Sequence, residues 1–352
     1  TLVAMLALRP LAQAIDLVDR PGGHKTHHGE VPIVGGLAML LGFIVGLGTA
    51  DKWIPAAPLL GAACTVLVVV GLLDDRFNLS PVVRLFVQMA LVAAMVLGAG
   101  LKISSVGDPL ALGEWVFPKN IDLVVTLLFV AGAINAFNML DGMDGLASAI
   151  AMVSLTAFSA VGAAFAAPSV LVGATLMMGA VAAFLIFNIP ARFNRKWRSF
   201  MGDGGSTLLG FVLACLAIWA SQRPNRIVAP AAILWFVAIP VYELLWTMCR
   251  RLLRGASPFK PDREHFHHIL LAAGFGVRGA FTILVALAAG YATIGLLLVW
   301  LAAPEWFVFA TFVATGFLTV RLMYASESIL TALPSAWRAR LARPVEWPQT
   351  SV

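Results

Sequence analysis

The chain has 352 residues, of which 60% are hydrophobic and only 12% are charged. Because soluble domains carry about 25% charged residues, this composition excludes an ordinary soluble protein and predicts an integral membrane protein. The formal net charge is +6. We attribute it to basic loops at the cytoplasmic membrane surface and to contact with anionic lipids, and not to nucleic-acid binding.

Apolar segments follow one another along the whole chain, and a helix that crosses a bilayer needs about 20 such residues. We predict an all-α, polytopic fold of about eleven transmembrane helices, in a single domain that covers residues 1–352. The first segment is short and predicts an incomplete first helix, and residues 326–352 are expected to form an interfacial tail. The predicted segments lie near 1–15, 31–50, 56–73, 82–101, 121–137, 145–166, 169–189, 205–220, 227–248, 280–302 and 305–325.

Lysines and arginines are distributed unequally between the two sets of loops that alternate along the chain. Most of them fall in the set that contains Arg84, Arg198 and Arg263. The positive-inside rule therefore places this set in the cytoplasm. Because the residues with chemical potential fall in the same set, we predict an active site at the cytoplasmic face. The opposite face is expected to carry a small hairpin near 102–120, where turn-forming residues gather.

The stretch from Asn135 to Gly145 ends a strongly apolar run. Asn135, Asn138, Asp141 and Asp144 recur every three residues, and neighbouring pairs at that spacing can face one pocket from a helix. Ionisable groups beside a membrane segment are costly and usually mark a functional site. The pattern therefore predicts that these side chains belong to a site.

Acidic residues occur at three further places beside or within apolar segments. Asp74 and Asp75 are adjacent, so they can bind a divalent cation or take a proton from a substrate, although a solvated turn is the alternative. Asp203 lies in Gly-Asp-Gly-Gly-Ser, where the carboxylate can hold a metal and the glycines can free backbone N–H groups for phosphate oxygens. Glu243 is expected to pair with an arginine at the helix end, with a contact to the site as the alternative.

Two histidine-rich stretches complete the set of candidate residues. His265, His267 and His268 follow Arg263 closely, which favours phosphate recognition over a zinc site, since no cysteine is nearby. A solvated loop is the third interpretation. Lys25 lies in the stretch 24–28 and can act as a point-charge ligand for phosphate, whereas the glycines that follow it can also serve close helix packing.

Acidic groups suited to Mg²⁺, basic groups suited to phosphates and a membrane location together predict a reaction between a soluble anionic donor and a lipid phosphate. A transporter or lipid flippase is the rival hypothesis, because acidic groups in a membrane also mark ion pathways. A transporter should carry these groups at mid-helix and often shows repeated halves. A membrane scaffold is a third hypothesis, and it leaves the clustering unexplained.

The motifs resemble, in the same order, those of the polyprenyl-phosphate N-acetylhexosamine-1-phosphate transferase family, over about residues 16–275. The last motif is similar to the branch that transfers N-acetylglucosamine 1-phosphate to undecaprenyl phosphate, whereas the peptidoglycan branch more often has three adjacent histidines. Glu243 departs from the pattern, because aspartate is more frequent there. The matching motifs are HKTH at 24–27, VPIVGG at 31–36, GLLDD at 71–75, NAFNMLDGMDGL at 135–146, FMGDGGS at 200–206 and SPFKPDREHFHH at 257–268.

This resemblance implies the residues that carry the reaction. It implies that Mg²⁺, or Mn²⁺ in its place, is held by Asp203 with Asn138 nearby. Asp74 and Asp75 would engage or deprotonate the lipid phosphate. The implied catalytic residues are Asp74, Asp75, Asp203 and His265, and the implied substrate-binding residues are Lys25, Asn135, Asn138, Asp141, Asp144, Arg263, His267 and His268.

The resemblance also implies the partners and the location. A UDP-N-acetylhexosamine would react with undecaprenyl phosphate and release UMP, at the bacterial inner membrane, to start O-antigen or related polysaccharide synthesis. N-acetylglucosamine is the default sugar, and another UDP-hexosamine or UDP-N-acetylmuramoyl-pentapeptide is the alternative. Direct attack by the lipid phosphate is favoured over an aspartyl intermediate, since charge neutralisation suffices for it. A homodimer is left open.

Overall fold

The computed structural model describes residues 1–19, 30–189, 197–222, 224, 226–257 and 264–341. It confirms the all-α, polytopic class. Two short strands, β1 (Val18–Asp19) and β2 (Val31–Pro32), and a 3₁₀ turn (Asp51–Trp53) accompany the helices. The helices are α1 (Leu2–Ala14), α2 (Gly35–Thr49), α3 (Ala57–Phe77), α4 (Pro81–Ala99), α5 (Ile121–Leu140), α6 (Leu146–Ala164), α7 (Pro168–Asn188), α8 (Gly202–Ser221), α9 (Pro230–Phe236), α10 (Ala238–Leu253), α11 (Phe266–Ala272), α12 (Val277–Trp300), α13 (Glu305–Tyr324), α14 (Ser326–Ala332) and α15 (Ser335–Leu341).

Every predicted apolar segment forms a helix, although the helices differ in length. Within the described ranges, 8 helices are long and apolar enough to cross a bilayer, and the pair α9 and α10, bent by 93°, makes a ninth candidate. The two remaining segments form the shorter helices α1 and α2, of 13 and 15 residues. The number of eleven spans therefore stays a prediction.

Helix α8 lies at the centre of the bundle, because 94% of its 18-residue apolar stretch is buried inside the protein. Its first turns pack very closely against α2 and α3. A Cβ atom on Gly36 would collide with the backbone of Gly205, and one on Gly71 would collide with the backbone of Gly204. Small residues at such crossings let helix backbones approach in a membrane. Close packing thus explains Gly204 and Gly205 without a phosphate ligand.

Short backbone pairings place the beginning of α8. The strands β1 and β2 pair in antiparallel fashion, and the backbone N–H of Phe200 donates to the carbonyl of Pro32 at 2.9 Å. Gly35 and Gly36, at the start of α2, donate in turn to the carbonyls of Phe200 and Met201 at 2.9 and 3.0 Å. The segment before Asp203 is therefore held against α2, and Asp203 enters the bundle at a defined point.

The expected hairpin is present at the other end of the helices. Trp115 donates its backbone N–H to the carbonyl of Gly107 at 2.8 Å, and the Gln222 amide bridges the hairpin backbone at Ser104 and Ser105. A cavity of about 1010 Å³ lies at this end between α9, α12 and α13. Its charged lining residues, Arg226 and Glu305, are paired with each other, and Arg226 is also paired with Glu114. We assign the cavity no chemistry.

Candidate active site

One cavity, of about 710 Å³, collects the polar residues of five helices at a single end of the bundle. The carboxyl ends of α3, α5 and α7 meet the amino ends of α4 and α8 there. Alternate helix ends meet in this way because consecutive membrane helices run in opposite directions. The charged residues that line the cavity in the described part of the chain are Asp19, Asp74, Asp75, Arg84, Asp141, Asp144, Arg198 and Asp203.

Arg84 connects two of the carboxylates. Its guanidinium forms an ion pair with Asp74 and lies 3.0 Å from Oδ2 of Asp203. Asp74 is only 6% exposed, and a buried carboxylate is stable only when it is paired or hydrogen-bonded. The first turn of α4 therefore neutralises a group at the end of α3 and faces the first turn of α8.

Asp75 contacts the start of α8. The backbone N–H of Asp203 lies 3.2 Å from both carboxylate oxygens of Asp75. Helix amino ends attract anions, because their N–H groups have no partner within the helix. Gly202 is required beside this contact, since its φ is +70° and a Cβ atom there would collide with the Asp75 carboxylate.

The turn after α5 forms another wall. Asp144 is paired with Arg198, and the Asn188 side chain accepts the backbone N–H of Gly145 at 2.7 Å. Gly145 has a φ of +74°, which glycine adopts without strain. Asp141 also lines the cavity.

Several carboxylates share this small space, which changes the acidity of Asp141. Desolvation and the neighbouring charges of Asp203 and Asp75 raise the pKa of Asp141 well above its ordinary value. Both causes act in the same direction, since burial and like charges each disfavour the ionised form. The cavity therefore has an excess of negative charge that a cationic ligand would relieve.

The two asparagines of α5 have different surroundings. Asn138 faces α8, where its Oδ1 accepts hydrogen bonds from Ser206 at 2.6 Å and from Thr207 at 3.4 Å. It lines a small recess together with Asp203 and Arg84. Asn135 is exposed and donates to the Ala131 carbonyl of its own helix at 2.8 Å. The structure thus brings Asn138 to the site and leaves Asn135 outside it.

The three histidines form a cluster behind the cavity wall and are not among its described lining residues. The ring centroids of His267 and His268 lie 4.1 Å apart, and those of His265 and His267 lie 5.9 Å apart. The His267 ring abuts Gly142, which lines the cavity. Burial, with the adjacent histidines, lowers the pKa of His267 to about 3. His267 is therefore neutral and buried within this cluster.

Two of the predicted phosphate ligands, Lys25 and Arg263, lie outside the described residues.

The sequence patterns did not identify two arginines of the cavity as site residues. Arg84 is interpreted from sequence only as a marker of the cytoplasmic side, yet it pairs with Asp74. Arg198 is not among the predicted site residues, yet it pairs with Asp144. The signal that was available for Arg84 is its position near Asp74 and Asp75, on the first turn of the following helix.

The donor set suits a hard divalent cation. Mg²⁺ takes oxygen ligands and is often bound by one or two carboxylates together with substrate phosphates and water. The cavity offers carboxylates, and Asp203 with Asn138 nearby presents oxygen atoms at one recess. In the described part of the chain, no three or more His, Cys, Asp or Glu side chains are grouped so that they could hold a metal ion by themselves. A cation on Asp203 would share that carboxylate with Arg84.

Comparison with known proteins identifies the family of this chain. Residues 57–221, which include Asp74, Asp141 and Asp203, match the model of glycosyl transferase family 4. Relatives with the name undecaprenyl-phosphate alpha-N-acetylglucosaminyl 1-phosphate transferase match most of the chain. The relative from Escherichia coli (strain K12) is 36% identical over 319 residues, which is 90% of this chain and 86% of the relative.

Two further relatives carry the same name. The one from Yersinia pestis is 37% identical over 310 residues, covering 88% of this chain and 84% of its own. The one from Pasteurella multocida is 34% identical over 341 residues, covering 97% of this chain and 94% of its own. The chain therefore belongs to this family of membrane-embedded sugar-phosphate transferases, and the resemblance found in its motifs is confirmed.

Proposed function

We propose that the chain transfers N-acetylglucosamine 1-phosphate from UDP-N-acetylglucosamine to undecaprenyl phosphate and releases UMP. The observation that carries the proposal is the convergence of carboxylates from α3, α5 and α8 with Arg84 and Arg198 in one cavity. The printed name of the relatives supports the acceptor and the sugar. Positive-inside orientation supports a cytoplasmic site in the bacterial inner membrane, where the nucleotide sugar is available.

The reaction forms one phosphorus–oxygen bond and breaks another. An oxygen of the lipid phosphate attacks the phosphorus that bears the sugar, and the bond from this phosphorus to the bridging oxygen breaks. The electron pair stays on that oxygen, which leaves as part of UMP. Such transfers depend mostly on positioning and charge neutralisation. A direct attack needs no covalent intermediate on the protein, and isolation of a phosphosugar–enzyme adduct would contradict it.

The cavity residues divide this work. The Arg84 guanidinium, which lies between the Asp74 and Asp203 carboxylates, is suited to bind a phosphate oxygen, because arginine presents several N–H groups in one plane. Asp203, with Asn138 nearby, would hold Mg²⁺, which supplies positive charge to the diphosphate when it is bound. Asp141 and Asp144 line the same cavity and are proposed to contact the nucleotide sugar.

The rival transporter hypothesis receives less support. The charged residues that line the cavity lie at one end of the helices, where several helix ends meet. A transporter should carry such groups near the middle of the membrane.

The decisive experiment is release of UMP by purified protein with UDP-N-acetylglucosamine, undecaprenyl phosphate and Mg²⁺. We expect release only when donor and acceptor are both present, and we expect the Asp203→Asn variant to be inactive while it remains folded. Asp108→Asn is the matched control, because it makes the same change in the hairpin at the other end of the bundle, where the carboxylate accepts backbone hydrogen bonds.

A comparison of donors in the same assay identifies the sugar. Faster turnover with another UDP-hexosamine or with UDP-N-acetylmuramoyl-pentapeptide would replace N-acetylglucosamine and keep the reaction class. Absence of UMP release with every UDP-sugar, in a folded preparation, would refute the proposed function.

A further inference from the structure

Helix α10 carries a buried polar face that the proposed reaction does not use. Glu243, Thr247 and Arg250 are spaced by four and three residues, so they lie on one side of the helix. Their exposed fractions are 1%, 1% and 4%. A buried carboxylate in a helix of a membrane protein is costly unless it has a partner. This face of α10 therefore needs a partner of its own.

The partner is the segment that contains the histidines. Oε1 of Glu243 lies 3.0 Å from Nδ1 of His265. Glu264, one residue before His265, is also held by α10. The Arg250 guanidinium donates to the Glu264 carbonyl at 2.6 Å, and Arg250 Nε lies 3.3 Å from the Glu264 carboxylate. Two consecutive residues of the segment are thus held by α10, at points two helical turns apart.

We infer that Glu243 is a positioning residue for His265. A neutral imidazole has one N–H donor and one acceptor, and the hydrogen bond made by one nitrogen decides which nitrogen carries the proton. Because an ionised carboxylate can only accept, the 3.0 Å contact with Glu243 favours the proton on Nδ1 and leaves Nε2 as the nitrogen that is available to a ligand. The two atoms are at hydrogen-bond distance, but their angle departs from that of a hydrogen bond, and such contacts often tighten only when substrate binds.

Contacts continue from this pair to the cavity. The rings of His265 and His267 are nearly parallel, with an angle of 15° between their planes. His267 in turn abuts Gly142 in the cavity wall. A rotation of His265 would therefore disturb the ring that supports this wall. Glu243 sets both the tautomer of His265 and the packing of the histidine cluster behind the cavity wall. The inference rests on the proposed function for its catalytic consequence.

Nitrogen-15 NMR of selectively labelled histidine tests the positioning role directly. The chain has 6 histidines, and the His265 signals are assigned by their loss in His265→Asn. We expect the proton on Nδ1 in the wild type. We expect it to move, or to exchange between the two nitrogens, in Glu243→Met, which has a similar length and no carboxylate oxygen. A wild-type His265 that is protonated on Nε2 alone would overturn the inference, and this measurement needs no Glu243 variant to fold.

Kinetics provide the second arm. We expect Glu243→Met to lower kcat by about 10- to 100-fold, with a much smaller change in KM. This magnitude is taken from the loss of carboxylate partners that orient metal-bound histidines. Glu243→Gln keeps an oxygen acceptor and should retain the tautomer and most of the activity.

Thr247→Val is the matched control for these kinetics. It changes the same buried face one turn away, and the Thr247 hydroxyl has no hydrogen-bond partner among the described residues. Wild-type kcat in folded Glu243→Met would refute the inference. A wild type without UMP release would refute the proposed function instead, and the NMR result would stand.

Discussion

Replacement of Arg84 by glutamine tests the charge balance of the cavity. At 3.0 Å from Asp203, an attraction of roughly 5 kcal/mol follows from an effective dielectric constant of about 20. Solvent reduces this value, because the side chains of Arg84 and Asp203 are 31% and 42% exposed. Asp74, whose side chain is only 7% exposed, would remain as a buried carboxylate without its cation. We therefore expect a net loss of about 1 to 3 kcal/mol in the free energy of unfolding.

Unfolding in mixed micelles with increasing SDS measures this loss. In the double variant Arg84→Gln with Asp74→Asn, most of it should be recovered, because the unpaired charge is removed. UMP release should fall by about 10²- to 10³-fold in Arg84→Gln, the effect of removing one donor to a developing charge. Arg84→Lys keeps the charge and should lose less. Unchanged stability together with unchanged turnover in Arg84→Gln would refute the reasoning.

Three further predictions concern single positions. Gly202→Ala should unfold more readily and lose turnover, since its φ of +70° and the adjacent Asp75 carboxylate exclude a side chain. Asn138→Ala should lower turnover strongly, whereas Asn135→Ala should leave it near wild type, and equal losses would contradict their different surroundings. His267 has a folded pKa of about 3 against 6.5 when unconstrained. The unfolded chain therefore takes up the proton at a higher pH than the folded chain. The free energy of unfolding should decrease as the pH falls from 6.5 towards 3, and it should decrease less in His267→Asn.

The predictions from sequence differ in outcome for reasons that individual residues illustrate. Acidic residues are rare in an apolar chain, which distinguishes Asp74, Asp141 and Asp203, and each one does line the cavity. A spacing of three permits a shared face and therefore groups Asn135 with Asn138. The helix turns by about 100° per residue, however, and over this step only Asn138 reaches α8. Spacing limits which residues can be neighbours and does not select the face that is buried.

Composition and segment length determined the class of this protein, because a bilayer requires long apolar helices in any arrangement. The order of the motifs determined the family. The tertiary structure decided which opposite charges meet, since Arg84 and Asp203 are 119 positions apart and only the packing of α4 against the bundle brings them together. It also paired Glu243 with His265. Contacts between distant segments depend on the three-dimensional path of the chain, which local patterns do not contain.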